Sequence, residues 1–316
     1  MSPFLVVLII ILSLLVLLFI GLFVIYYMAF YNSKKSKNNY FTVLNREEYK
    51  TYINQIKENI DKVKDIPYEI IKIQSIDDKT LVAKYYHVAD DAPIDIQCHG
   101  YRGNGLRDFS GGLQMSLAKG HNVLLIDHRA QGDSEGHTIT FGIKEREDIL
   151  DWVYYARLKF GNKAKIFLVG ISMGAASVLM ASELKLPKNV VGIIADCPYS
   201  SPRDIISKVI KDMKLPAKVL MPFVKLSALV FGRFNIDECN VIDAVKKSKL
   251  PILIIHGKDD TFVPYQMSEK IANANPNIQL ELFDDAPHGM SYLIDEEKYK
   301  VIVNDFIDKV LGESED

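Results

Sequence analysis

The chain has 316 residues, which is enough for one large α/β domain with an appended segment. Its formal net charge of −2 and the lack of a basic stripe interleaved with aromatic residues argue against a nucleic-acid partner. Cys98, Cys197 and Cys239 are isolated in the sequence, so we expect reduced thiols and neither a disulfide framework nor a cysteine-based metal site.

The N-terminal segment predicts a transmembrane anchor over residues 1–31. No residue from Phe4 to Phe30 is charged, and about 27 residues at 1.5 Å rise give a helix of roughly 40 Å, long enough to cross a bilayer. Tyr26, Tyr27 and Tyr31 stand near its end, where we expect interfacial anchors. A cleaved signal peptide is the alternative, but the apolar run is too long, no lysine or arginine precedes it and no small-x-small site ends it.

The polar segment that follows, residues 32–66, predicts a juxtamembrane linker that passes into a helix from about Arg46 to Lys62. Lys34, Lys35 and Lys37 follow the apolar run and no lysine precedes it. The positive-inside rule therefore places the long C-terminal part in the cytoplasm, which agrees with reduced cysteines.

Residues 67–316 predict the main domain. It opens with a hairpin, in which Tyr68–Ser75 and Thr80–Val88 turn at Asp77–Asp78. Short apolar runs then alternate with helical patterns, which is typical of a mostly parallel, doubly wound α/β sheet with ligands at the carboxyl ends of its strands. The predicted strands are Ile94–Cys98, Asn122–Ile126, Lys165–Val169, Val190–Ala195, Pro251–Ile255 and Gln279–Phe283, and the predicted helices are Phe109–Ala118, Ile143–Phe160, Ala175–Leu184, Tyr265–Ala274 and Tyr292–Leu311.

An insertion over about 200–245 interrupts this alternation. It contains two amphipathic helical stretches, Asp204–Met213 and Ala217–Phe231, with lysines beside apolar residues. An insertion at this place in the fold predicts a lid over a pocket. Its lysines either form an ordinary solvated face or rest on an anionic membrane surface, and the sequence leaves both open.

The segment Val169–Ala176 contains G-x-S-x-G, with Ser172 at its centre. A β-branched, apolar run precedes the motif and small, helix-compatible residues follow it, which is the strand–turn–helix context of a nucleophile elbow. The flanking glycines allow a crowded turn, and the following helix points its N-terminus at the serine. The motif alone also fits an ordinary turn, but this context predicts Ser172 as a catalytic nucleophile.

A nucleophilic serine needs a base to take its proton and a carboxylate to orient that base. The expected order along the chain is serine, acid, histidine. Two histidines, His256 and His288, follow Ser172. His288 lies in a loop flanked by Pro287 and Gly289 and is the predicted base, whereas His256 ends a strand and is expected to cap or pack it.

The acid is predicted to be Asp260. It occupies the fifth position of H-G-x-x-D-x-x-V-P, just after a predicted strand, and Asp259 is expected to shape the turn. Asp285 lies close to His288 in sequence and is a weaker alternative, because such a neighbour is expected to bond local backbone.

Acyl transfer also needs donors for a tetrahedral oxyanion. The amide of Met173, directly after the serine, is one predicted donor. The amide of Tyr101 is the other, from the glycine-rich loop His99–Gly105 that follows a predicted strand. This loop forms neither G-x-G-x-x-G nor a P-loop, so a phosphate cradle is not expected, and His99 is expected to bond loop backbone.

The loop Asp127–Gly136 is rich in charge. Arg129 and Asp133 are expected to form internal pairs that hold the turn, with a direct contact to substrate as the alternative. Its Asp, Glu and His residues lack metal-ligand spacing. The sequence therefore predicts neither a metal nor a cofactor.

Five motifs now stand in order: H-G-Y-R-G-N, D-H-R-A-Q-G-D-S-E-G, G-I-S-M-G, H-G-K-D-D-T-F-V-P and P-H-G. Over roughly residues 68–312 they resemble the α/β-hydrolase superfamily, most of all its bacterial cinnamoyl/feruloyl-esterase-like and serine-aminopeptidase-like branch. The resemblance implies the α/β-hydrolase fold, a triad of Ser172, Asp260 and His288, and an oxyanion hole at Tyr101 and Met173.

The resulting expectation is a membrane-anchored serine hydrolase that cleaves a small-molecule carboxylic ester through an acyl-enzyme on Ser172. One alternative is a peptidase of the aminopeptidase-like branch, which an acidic cluster for a free α-amino group would support. A non-catalytic membrane scaffold that retains the fold is the other. The anchor and the basic lid depart from soluble esterases, so substrate specificity and oligomeric state stay open.

Overall fold

A computed structural model describes residues 1–33 and 47–313 of the chain. The lysines 34, 35 and 37 that predict topology lie outside these ranges, as does the residue at which the juxtamembrane helix was predicted to begin. Within the described part, a 3₁₀ segment over Glu47–Tyr52 leads into an α-helix at Ile53–Val63.

The described residues form one eight-stranded sheet with the order β1-β2-β4-β3-β5-β6-β7-β8. Its strands are β1 (Glu69–Gln74), β2 (Thr80–Tyr86), β3 (Ile94–Cys98), β4 (Asn122–Asp127), β5 (Ile166–Ile171), β6 (Val190–Asp196), β7 (Ile252–Gly257) and β8 (Ile278–Phe283). The β1–β2 and β2–β4 pairs are antiparallel and the others are parallel. β3, β4 and β7 are buried along their whole length; β4 and β7 are mainly apolar, whereas β3 alternates apolar residues with the buried Asp95 and Gln97.

Helices cover both faces of the sheet. They are α1 (Pro3–Ala29), α2 (Ile53–Val63), α3 (Gly105–Asp108), α4 (Ser110–Ala118), α5 (Glu145–Phe160), α6 (Met173–Ala181), α7 (Pro202–Asp212), α8 (Ala217–Ser227), α9 (Val241–Lys247), α10 (Gln266–Ala272), α11 (Ser291–Ile294) and α12 (Glu296–Glu313). The predicted α/β-hydrolase fold is confirmed.

Two helical predictions need correction. The single helix predicted over Tyr292–Leu311 is divided into α11 and α12, because Asp295 between them has extended backbone angles (φ −145°, ψ 83°). In the lid, α8 ends at Ser227 and a π-turn over Ala228–Gly232 follows, so the stretch predicted to Phe231 is not one regular helix.

The last turns of α1 are packed into the main domain. Tyr26 and Phe30 are both buried. The Tyr26 hydroxyl lies 2.7 Å from Thr138 Oγ1, and the Phe30 ring meets Phe141 and Phe234 edge-on at 5.8 and 5.2 Å. The prediction that Tyr26 anchors the chain at a lipid interface is therefore wrong, because its side chain lies inside the protein.

A second face of α1 contacts the lid. The ring of Phe231, in the π-turn, packs against Phe19 and Phe23 at 5.0 and 5.4 Å between centroids. The buried Ser227 hydroxyl donates a 2.8 Å hydrogen bond to the carbonyl of Leu22. The half of α1 from Phe19 onward is thus held between the main domain and the lid.

The preceding part of α1, from Pro3 to Leu18, is exposed at every residue. By length and composition α1 qualifies as a membrane span, a criterion that signal sequences and buried core helices also meet. Its exposed half distinguishes it from a core helix.

Candidate active site

Ser172 lies on the sharp turn between β5 and α6. Its backbone is strained (φ 55°, ψ −113°), and its N–H donates to the Asp196 carbonyl at 2.8 Å. Gly174 makes this turn possible, since a Cβ there would stand 1.9 Å from the Cys98 carbonyl oxygen. The motif is therefore a nucleophile elbow in geometry, with the serine at the N-terminus of α6.

The three predicted triad residues meet in one chain of hydrogen bonds. Ser172 Oγ lies 2.9 Å from His288 Nε2, and His288 Nδ1 lies 2.6 Å from Asp260 Oδ2. Because a carboxylate only accepts, Nδ1 carries the proton and Nε2 is left to accept the serine hydroxyl proton. Asp285 does not take the acid's place, as Asp260 is the carboxylate that His288 Nδ1 contacts.

Asp260 is buried and receives four hydrogen bonds. Its Oδ1 accepts from the amides of Phe262 and Val263 at 2.9 and 2.7 Å, and its Oδ2 accepts from His288 and His256. Burial opposes ionisation, but the two histidines outweigh it and hold the pKa of Asp260 well below its usual range. The carboxylate is charged at every pH at which the protein would work.

His256 takes part in the site, which sequence reasoning did not anticipate. It is fully buried, and its Nε2 donates to Asp260 Oδ2 at 3.1 Å and to the Val263 carbonyl at 2.8 Å. Its Nδ1 accepts from the Ser268 hydroxyl at 2.6 Å. His256 therefore packs the end of β7 as expected. In addition, it orients Asp260. The only sequence signal for this contact is that His256 lies four residues before Asp260.

The two predicted oxyanion donors border the same cavity as Ser172 and His288. Met173 begins α6, so its N–H belongs to the first turn, whose amides have no acceptor within the helix. The loop of Tyr101 is held by His99, whose Nδ1 donates to the Gly100 carbonyl at 2.8 Å while Nε2 accepts from the His128 amide. His99 has the backbone-bonding role expected from the sequence.

Tyr101 also connects this loop to α1. Its hydroxyl donates to the Ala29 carbonyl at 2.8 Å, and its ring stacks on Phe141 at 5.1 Å. The Arg102 guanidinium donates to the carbonyls of Met28 and Tyr31. The loop that carries Tyr101 is thereby fixed to the end of α1.

Arg129 forms internal pairs as expected, but with other partners. Its guanidinium binds Asp148 of α5 at 2.5 and 2.6 Å and Asp77 of the hairpin turn at 3.1 and 3.2 Å. Asp133, the partner suggested by sequence, instead donates its amide to Asp127. The pairs hold the β1–β2 hairpin against α5.

A cavity of about 1680 Å³ opens above Ser172. Part of its wall is apolar and comes from the lid and from α1, including Ile205, Ile210, Leu220, Val224 and Ile25. This volume exceeds the roughly 300–1,000 Å³ of an ordinary small-molecule pocket.

Cys197, Asp260 and His288 are, among the residues the structure describes, the one group whose ligand atoms approach within 4.8 Å of one another. Burial raises the pKa of the Cys197 thiol well above its usual value, and a protonated thiol is a poor metal ligand. The other two side chains already bind each other. The arrangement suits proton transfer better than metal coordination.

Asp196 is a second buried acid beside the site. Its Oδ2 accepts from the Tyr299 hydroxyl at 3.0 Å, and burial raises its pKa to about 6. A carboxyl with a higher pKa folded than unfolded adds stability at low pH, and this contribution is lost as pH rises through about 4 to 6.

Asp196→Asn should therefore gain stability relative to wild type as pH rises. We expect the difference in free energy of unfolding to move by about 1–2 kcal/mol in favour of the variant between pH 5 and pH 8. Urea denaturation of both proteins at the two pH values measures it, and the shared titrations of other groups cancel in the difference. A constant difference would show that Asp196 is ionised in the folded protein already at pH 5.

Comparison with known proteins agrees with the fold. A family model described as the alpha/beta hydrolase fold matches residues 96–227, and one for the dienelactone hydrolase family matches residues 217–301. A Bacillus subtilis protein, YqkD, described as uncharacterized, is 28% identical over 236 residues, covering 73% of this chain and 77% of its own. The lysophosphatidylserine lipase ABHD12 of Danio rerio is 26% identical over 191 residues, 57% of this chain and 46% of the relative.

Solved structures give the same result. An esterase of Pyrococcus furiosus superposes with a TM-score of 0.62 at 25% identity, covering 80% of this chain and 93% of that one. Est1E of Butyrivibrio proteoclasticus, solved with ferulic acid bound, has a TM-score of 0.58 at 21% identity and covers 77% and 99%. The chain has the α/β-hydrolase fold and is similar in sequence and structure to esterases with that fold.

Proposed function

We propose that the protein is a membrane-anchored serine hydrolase that cleaves carboxylic esters, with Ser172, His288 and Asp260 as its triad. The observation that carries the proposal is the hydrogen-bonded chain from Ser172 Oγ through His288 to Asp260 at the floor of an apolar cavity. An apolar cavity favours an acyl group as the recognised part of the substrate.

In the first half of the reaction, His288 Nε2 takes the proton of Ser172 as Oγ attacks the acyl carbonyl. The amides of Met173 and Tyr101 stabilise the negative charge that develops on the carbonyl oxygen. The tetrahedral intermediate then collapses: the ester C–O bond breaks and the alcohol leaves with the proton that His288 returns. The acyl group stays on Ser172.

In the second half, His288 takes a proton from water as the water oxygen attacks the acyl carbonyl. The bond between the acyl carbon and Ser172 Oγ then breaks, His288 returns the proton to Oγ, and the carboxylic acid leaves. Asp260 keeps the proton of His288 on Nδ1 throughout and stabilises the imidazolium. With its four donors, this carboxylate is oriented before the reaction begins and needs no rearrangement.

We further propose that α1 is an uncleaved anchor and that the catalytic domain faces the cytoplasm. The exposed apolar half of α1 supports the first part. The second part has its support in the sequence, from the lysines at 34, 35 and 37 that follow the span.

A fluorophosphonate probe tests the enzymatic proposal. The full-length protein in detergent is expected to be labelled once, on the peptide that contains Ser172, and Ser172→Ala is expected not to be labelled. A panel of esters graded by acyl length, run beside aminoacyl amides, separates esterase from aminopeptidase. A folded wild-type protein that resists the probe, or that cleaves only aminoacyl amides, would overturn the proposal.

A further inference from the structure

The lid carries an apolar face that the active site does not use. Val219, Phe223, Leu226 and Val230 recur at the spacing of one helical face along α8 and the π-turn, and each is 40–61% exposed. We call these four residues the lid face. None of them borders the cavity among the residues that the structure describes, so neither substrate binding nor folding accounts for them.

The lid face lies beside the α1 contact. Ser227 and Phe231 contact α1. Ser227 directly follows Leu226 of the lid face, and Phe231 directly follows Val230. The apolar surface of the lid is therefore continuous with the apolar surface of α1.

The length of α1 fixes where this surface stands relative to a membrane. The part of α1 ahead of its first lid contact, Pro3–Leu18, has roughly 16 residues and spans about 24 Å. The hydrocarbon core of a bilayer is about 30 Å thick. If α1 crosses this core, about four residues beyond Leu18 must also lie in the hydrocarbon. The immersed part of the helix then ends at about Leu22.

Two of those four residues contact the lid. Phe19 is packed against Phe231, and Leu22 accepts the hydrogen bond from Ser227. The lid residues in contact must therefore enter the leaflet together with them. Exposed lysines at 211, 214 and 218 precede the lid face in sequence and suit the anionic headgroups of a cytoplasmic leaflet.

We propose that the lid face inserts into the membrane leaflet next to α1, so that the cavity takes the acyl chain of a membrane lipid ester directly from the leaflet. The same lid and the last turns of α1 wall the cavity, through Leu220, Val224 and Ile25. The acyl chain thus passes from lipid to an apolar cavity without crossing water. This inference rests on the anchor and the esterase activity proposed above.

Cysteine labelling measures the insertion directly. The native thiols of Cys98, Cys197 and Cys239 are buried, so an environment-sensitive fluorophore will label introduced cysteines selectively. The full chain carrying Phe223→Cys or Val230→Cys is placed in vesicles of phosphatidylcholine and phosphatidylglycerol, with and without lipids brominated on their acyl chains. We expect brominated lipids to quench both labels.

Two further positions make the outcome decisive. Leu15→Cys, in the exposed half of α1, reports on anchoring, and Leu158→Cys, an 85% exposed residue near the end of α5, reports on the side of the domain remote from the site. If brominated lipids quench the label at position 15, but quench the labels at positions 223 and 230 no more than the label at position 158, the insertion is overturned and the anchor stands. Absence of quenching at 15 overturns the anchor itself, and the insertion with it.

Activity tests the delivery of substrate. The triple variant Phe223→Ser, Leu226→Ser, Val230→Ser is expected to lose about tenfold in rate on a long-chain monoacyl ester presented in vesicles. Its hydrolysis of a short-chain, water-soluble ester in detergent should equal that of wild type. Equal rates on the vesicle substrate would overturn the delivery route, whereas loss of both activities in a folded variant would mean that the lid face acts on the catalytic centre instead.

Discussion

Ser172→Ala is expected to reduce kcat for ester hydrolysis by at least about 10⁴-fold while leaving KM and the fold nearly unchanged. In the proposed mechanism the Oγ atom forms the covalent intermediate, and it lies 2.9 Å from His288 Nε2. The backbone turn at Ser172 is held by its own N–H bond to Asp196 and by the close approach of Gly174, so the elbow survives loss of the hydroxyl. Initial rates with a short-chain ester, beside thermal unfolding of both proteins, measure the effect.

A matched serine provides the control. Ser182 follows α6 and has the same 8% exposure as Ser172, but its hydroxyl donates to the Leu179 carbonyl and is remote from His288. Ser182→Ala should keep its activity. The double variant Ser172→Ala, His288→Ala should be no slower than Ser172→Ala alone, because the base has no role without the nucleophile. More than a tenth of wild-type activity in Ser172→Ala would contradict the assignment.

The strands were predictable to within about two residues at each end, for a physical reason. A strand of a parallel sheet that is covered on both faces is mostly apolar, as β4 and β7 are, although β3 has the buried Asp95 and Gln97 among its apolar residues. The short helices α3 and α9 were not predicted. Four and seven residues are too few for a helical period to show, and what marks them is their capping residues, Asn104 and Asn240.

The site was predictable where its residues follow strands in a fixed order, as Ser172 and Asp260 do. The part played by His256 was not, because its contacts with Asp260 and Ser268 depend on how the loop after β7 folds back. The burial of Tyr26 was equally hidden. An apolar helix has the same composition whether it faces lipid or protein, and only the partners Thr138 and Phe231, far away in sequence, decide between the two.

This ambiguity can be resolved by experiment at Phe30, just past the end of α1. Its ring is fully buried against Phe141 and Phe234, and the backbone beyond it continues the contact, since Ile139 donates its amide to the Phe30 carbonyl at 2.8 Å. Phe30→Ala removes a large apolar side chain from a packed site and is expected to lower the free energy of unfolding by about 3–5 kcal/mol. Urea denaturation in detergent micelles measures the change.

Phe4→Ala is the matched control, because Phe4 is 77% exposed at the other end of the same helix and its loss should cost less than about 0.5 kcal/mol. Equal stability of the two variants would mean that the apolar segment merely tethers the domain. If Phe30→Ala alone is destabilised, the end of the anchor is part of the domain's core. Ester hydrolysis should then fall as well, because Ala29 and Met28 receive the hydrogen bonds of Tyr101 and Arg102 that hold the oxyanion loop. The proposed membrane anchor would then also keep the active site in order.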